Sequence, residues 1–150
     1  MKKMIAIALT AALATACFAG CSQKKVRQTA TAYLDQDEHA VTATIDLSNG
    51  YSCDFARGAV YIYDQENKEG VESVAMVLTL DKDVYEDYVK DSKGDAEAKQ
   101  INGGTLFKTD GSVVFIATAG DKAQYAIVSE TLDKAGMEKL ITRVEMAPEV

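Results

Sequence analysis

The chain has 150 residues with no tryptophan, one histidine and one proline. A zinc centre built from two or three histidines is excluded by that count. His39 stands in a polar cluster, and there is no second histidine to serve a serine or threonine nucleophile. Basic charge is scarce too: 16 Lys and Arg face 23 Asp and Glu, a formal charge of −7 with a pI near 4.7, which argues against nucleic acid as a partner. No apolar run reaches membrane-spanning length; the longest, Met4 to Ala16, is too short. Gly103-Gly104 is not a phosphate loop, because no Lys-Ser/Thr follows it. Neither repeats nor low-complexity tracts occur. What remains is a globular composition, 47% hydrophobic and 26% charged, long enough for one domain and hardly two.

The first 21 residues have three parts. Lys2 and Lys3 supply positive charge, Met4 to Ala16 an apolar core, and Phe18-Ala19-Gly20-Cys21 a small-residue cleavage site. This ending resembles the lipobox of bacterial lipoproteins. The position three before the cysteine, usually Leu in that family, is Phe18 here; Ala14-Thr15-Ala16-Cys17 is a poorer second candidate. The resemblance implies a signal peptide over 1–20, with Cys21 as the first mature residue carrying diacylglycerol on its sulfur. The chain would then sit at the outer face of the cell membrane. Each buried CH₂ contributes roughly 0.8 kcal/mol, and stable anchoring takes two chains or one chain plus basic charge. Lys24, Lys25 and Arg27 follow at once, placed for anionic headgroups. With Lys2 and Lys3 gone, 14 basic side chains face 23 acidic ones, a charge of −9; setting Lys24, Lys25 and Arg27 aside, 11 face 23, leaving −12. The body is acidic, and the basic charge is gathered at the membrane end.

Of three cysteines, Cys17 leaves with the signal and Cys21 takes lipid, so Cys53 has no partner for an intrachain disulfide. Residues 21–40 are polar and mixed, and are expected to form a lipidated tether. As a flexible coil it would reach roughly 20–25 Å. The expected single domain covers 41–150.

From Val41 the pattern is that of strands. Val41, Ala43, Ile45 and Leu47 alternate with polar residues, and after Asn49-Gly50 so do Tyr51, Cys53 and Phe55. A three-residue loop, Ser48-Asn49-Gly50, would set Leu47 against Tyr51 and Ile45 against Cys53. In that register His39 lies roughly 20 Å from Cys53, too far for a catalytic dyad, and Cys53 reads as core. Ala59 to Tyr63 and Ser73 to Leu80 are further strands. Asp110-Gly111 predicts a hairpin pairing Phe107 with Val114 and Thr105 with Ile116. Gly120-Asp121 predicts a second, setting Ile116 against Tyr125 and Val114 against Ile127.

Two helices are expected. One follows Asp81, carries Val84, Tyr85, Tyr88 and Val89 on its apolar side, and stops before Gly94. The other follows Asp133, with Leu132 and Met137 as a hydrophobic staple and Met137, Leu140, Ile141 and Val144 on one face. Narrow apolar stripes of this kind must cover a sheet. The expected fold is α+β: an antiparallel sheet of six or seven strands with a middle and a C-terminal helix packed on it. This order is similar to that of small uncharacterised bacterial lipoproteins and, more loosely, to the PsbP/Mog1-like sandwich, a likeness of fold that carries no activity.

Candidate chemistry is thin. Asp35, Asp37, Glu38 and His39 offer ligands for a hard cation, but no calcium-loop glycine or terminal Glu stands at the required spacing. Asp81, Asp83, Glu86 and Asp87 suit the first turns of a helix without any metal. Tyr61 and Tyr63 share a strand face, as core or as a stacking surface. With no catalytic residue, metal site or cofactor assigned, the expectation is a membrane-anchored, extracytoplasmic, non-enzymatic domain. It would bind a protein or small ligand at the cell envelope, with Cys21 the one assigned site. The alternatives are a small envelope hydrolase using paired carboxylates and a cation-binding module.

Overall fold

A computed structural model describes residues 29–34, 41–66, 68–121 and 123–148. Among these residues ten strands and two helices follow one another: β1 (Thr29–Leu34), β2 (Val41–Asp46), β3 (Ser52–Ala56), β4 (Ala59–Tyr63), β5 (Ala75–Leu80), α1 (Lys82–Gly94), β6 (Lys99–Ile101), β7 (Gly104–Thr109), β8 (Ser112–Ala119), β9 (Ala123–Ser129), α2 (Lys134–Ile141) and β10 (Val144–Pro148). The fold is α+β. Its main sheet has seven antiparallel strands in the order β3-β4-β5-β9-β8-β7-β6, with a middle and a C-terminal helix. A second sheet, β1-β2-β10, is antiparallel as well.

Two meanders, β3-β4-β5 and β6-β7-β8-β9, meet where β5 pairs with β9. The connection between them is α1, which crosses one face of the sheet from central β5 to edge strand β6. Tyr85, Tyr88 and Val89 of α1 pack on Leu80, Phe107, Val114, Ile116 and Ala126. The Tyr88 and Phe107 rings meet edge to face at 6.2 Å. Val84, expected on this apolar side, is instead 45% exposed. Asp81 occupies the N-cap position, where its carbonyl accepts the Tyr85 N–H at 2.9 Å; its side chain makes no cap bond.

The opposite face carries the larger core. Val41, Ala43 and Ile45 of β2 and Met137, Leu140 and Ile141 of α2 join Val60, Ile62, Val77, Leu106, Phe115 and Ile127 of the main sheet. Asp133 caps α2 by accepting the Gly136 N–H at 2.7 Å, and Leu132 packs beside the core, as the staple requires.

Three further sequence expectations need correction. The hairpin joining Val41–Leu47 to Tyr51–Phe55 does not form: β2 pairs with β1 and β10, whereas β3 pairs with β4. The Ser48–Gly50 turn, with Asn49 and Gly50 at φ 64° and 87°, carries the chain from one sheet to the other. The β8–β9 register is one residue from the expected one, with Ile116 against Ala126 and Val114 against Val128. Val144 does not extend the final helix; it opens β10, opposite Ile45. Within the 21–40 stretch, whose tether reading allows order near Tyr33-Leu34, β1 pairs with the edge of β2 from Thr29↔Asp46 to Leu34↔Val41. The short strand β6 joins β7 through the left-handed pair Asn102-Gly103.

Candidate functional site

Among the described residues, a concavity opens where β5 and β9 part. Their ladder reaches Met76↔Val128 and goes no further. Beyond it, the Val74 carbonyl is taken by hydroxyls: Ser129 Oγ donates to it, as does Thr131 Oγ1 at 3.4 Å. Ser129, 2% exposed, also accepts the N–H groups of Thr131 and Leu132 at 3.2 and 2.9 Å, which folds the chain back into a tight turn. On the other side Val74 N–H reaches Ile62 O at 2.8 Å. The splayed strand ends are thus pinned by side chains, and a cleft of about 460 Å³ lies between them.

Its floor follows from register. Tyr61 stands opposite Met76 and Met76 opposite Val128, so three half-buried apolar side chains form one row across β4, β5 and β9. Glu72 and Glu130 line the same cleft and are exposed. No ion pair is formed by either among the described residues. The site is therefore an apolar trough with anionic edges.

A second, broader hollow of about 860 Å³ lies between the β2 corner and α2, lined by Asp46, Asn49, Glu138, Lys139 and Arg143 among others. Its charges balance. Arg143 Nη1 is engaged with the carbonyls of Asp46 and Ser48 at 3.2 and 3.0 Å. This hollow is a structural corner more than a receptor.

The residues singled out from sequence fall as follows. Cys21 and the cluster Asp35, Asp37, Glu38 and His39 lie outside the described residues. Asp81, Asp83, Glu86 and Asp87 are exposed around the start of α1, where Lys82 lies 3.7 Å from Glu86 and Lys90 lies 2.8 Å from Asp87. Among the described residues no three Asp, Glu, His or Cys side chains converge to hold a metal ion. Cys53 is half-buried opposite Ile62, against the larger core, and burial followed by the nearby Asp54 charge pushes its thiol up from the ordinary value. The distance argument against a dyad with His39 falls with the hairpin that supplied it. Packing, not that distance, now makes Cys53 a core residue.

Tyr61 is the one cleft residue the sequence pointed to. The period of two places Met76 on the apolar face of its strand, but Glu72, Val128 and Glu130 carry no local signal, because residues over 50 positions apart become neighbours only through the β5–β9 pairing. No protein-family model, curated protein or solved structure matches this chain.

Proposed function

We propose that the chain is a lipid-anchored, extracytoplasmic, non-enzymatic binding domain. It is held at the outer face of the cell membrane by diacylglycerol on Cys21 and takes a protein or small ligand in the cleft between β5 and β9. The observation that carries the binding half is the row Tyr61–Met76–Val128, three half-buried apolar side chains lining an open cleft. The anchoring half rests on Phe18-Ala19-Gly20-Cys21. With β1 beginning at Thr29, the seven residues between Cys21 and the body span at most about 25 Å, so the domain works close to the bilayer.

One observation favours a second reading, the carboxylate hydrolase: Glu72 and Glu130 share a cleft. A general acid is made by burying a carboxyl against apolar surface, and both of these are exposed. The binding reading is the better supported.

Mass spectrometry of the chain from its native membrane tests the anchor. A diacylated Cys21 at the N-terminus is expected, with Cys21→Ser leaving the leader attached. An intact leader or an unmodified thiol at Cys21 in the wild-type chain overturns it.

A further inference from the structure

We propose that the β5–β9 cleft docks a lysine- or arginine-bearing peptide segment of a partner protein, with the alkyl stem over Met76 and Tyr61 and the cationic head between Glu72 and Glu130. This deepens the binding reading and rests on it. Long cationic side chains lay an apolar stem along apolar surface and keep the charge at a polar edge, which is the chemistry of this trough: an apolar row for a floor and two carboxylates at the edges. The Tyr61 ring adds an aromatic face for a cation. Elsewhere on the surface some carboxylates, Glu66, Glu86 and Asp87 among them, already face lysines, while others such as Asp64, Asp83 and Asp110 form no ion pair among the described residues. Glu72 and Glu130 have no such partner among the described residues.

Charge complementarity selects the same occupant at long range. Apart from Lys24, Lys25 and Arg27 the mature chain carries −12, which steers basic partners inward and holds acidic ones away. Size argues for a short segment. A volume of about 460 Å³ is that of a small-ligand cleft, whereas a standard interface between folded proteins covers roughly 800 Å² on each partner.

The test uses the full lipidated chain in a non-ionic detergent, titrated with tetralysine, tetraglutamate and spermidine by calorimetry. Tetralysine is expected to bind, tetraglutamate not to bind, and Glu72→Gln/Glu130→Gln to weaken tetralysine at least tenfold; both glutamates are exposed, so the double variant folds. No binding of tetralysine overturns the proposal. So does undiminished affinity in the double variant, which marks diffuse attraction to an acidic surface, and so does spermidine binding as tightly, which marks a diffusible polyamine. A second measurement judges the parent reading by itself: maleimide labelling of Ser73→Cys at the cleft, corrected for the parent chain, in intact cells and after purification. Slower labelling in cells together with failed tetralysine binding sinks the cationic occupant and keeps the binding domain. Equal labelling sinks the binding domain.

Discussion

The Arg143 guanidinium lies on the face of the Tyr51 ring, 4.1 Å from its centroid. From there it donates to the carbonyls of Asp46 and Ser48, while its own carbonyl accepts the Asp46 N–H at 2.8 Å. One side chain at the end of α2 thus holds the corner at which the chain leaves the small sheet for the large one.

Replacing Arg143 with Met removes charged hydrogen bonds, together with a cation–π contact of about 0.5–1 kcal/mol. A loss of about 2 kcal/mol is expected in urea unfolding, with an unchanged slope. Arg143→Lys should recover less than half of it, since an ammonium cannot reproduce the planar fork. Full recovery by lysine would show that charge alone holds the corner.

Asp95, just past α1, accepts from Lys134 Nζ at 2.8 Å, Lys108 N–H at 2.8 Å and Glu97 N–H at 2.9 Å, joining α1, β7 and α2. The Lys134 bond first, then the two backbone bonds, hold its carboxyl down at about 2 against an ordinary value of 3.8. A group lowered in the folded state stabilises above its unfolded value and loses that contribution as pH falls through the folded value. The unfolding midpoint of the parent should therefore drop relative to Asp95→Asn between about pH 4 and pH 2. Parallel pH profiles for the two chains would remove Asp95 from the account of acid stability.

Gly104 sits where a Cβ would run into the Ile116 carbonyl and the Phe115 ring. Gly104→Ala should destabilise by about 1–3 kcal/mol through overpacking. Gly111, at φ 80° with open space around it, makes the contrast: alanine there meets only backbone strain, about 1–2 kcal/mol. The two mechanisms separate by context. A Phe115→Leu background should relieve only the ring's share of the Gly104→Ala penalty, since the Ile116 carbonyl remains, and leave that of Gly111→Ala untouched.

Burial, and after it the Asp54 charge, raise the Cys53 thiol. Its thiolate fraction at pH 8 is therefore below that of a free cysteine, and iodoacetamide should modify it more slowly in the folded chain than in urea. Asp54→Asn should speed the folded reaction modestly. Folded and unfolded rates that agree would place Cys53 on an open surface.

How much of this was legible depended on whether a local signal pinned each choice. Asp110-Gly111 is a two-residue turn that admits one register, and Phe107↔Val114 and Thr105↔Ile116 follow from it. The next hairpin had no such pin. Val113 to Ala117 of β8 are all buried, between α1 on one face and the larger core on the other, so shifting β9 by one residue still sets apolar against apolar. Three residues, not two, turn that corner, with Gly120 at φ 65°.

The sequence by itself determined the α+β class, both helices with their Asp81 and Asp133 starts, and the Asp-Gly hairpin, because periodicity, capping and turn chemistry act over a few residues. Tertiary structure alone decided that β10 takes the edge of β2 from about a hundred residues away, that β1 joins the same sheet, and that Glu72 and Glu130 line one cleft with the Tyr61–Met76–Val128 row. A strand edge accepts any chain that brings complementary backbone groups. Which chain arrives is settled by the packing of the whole core, and no window of neighbouring residues contains that information.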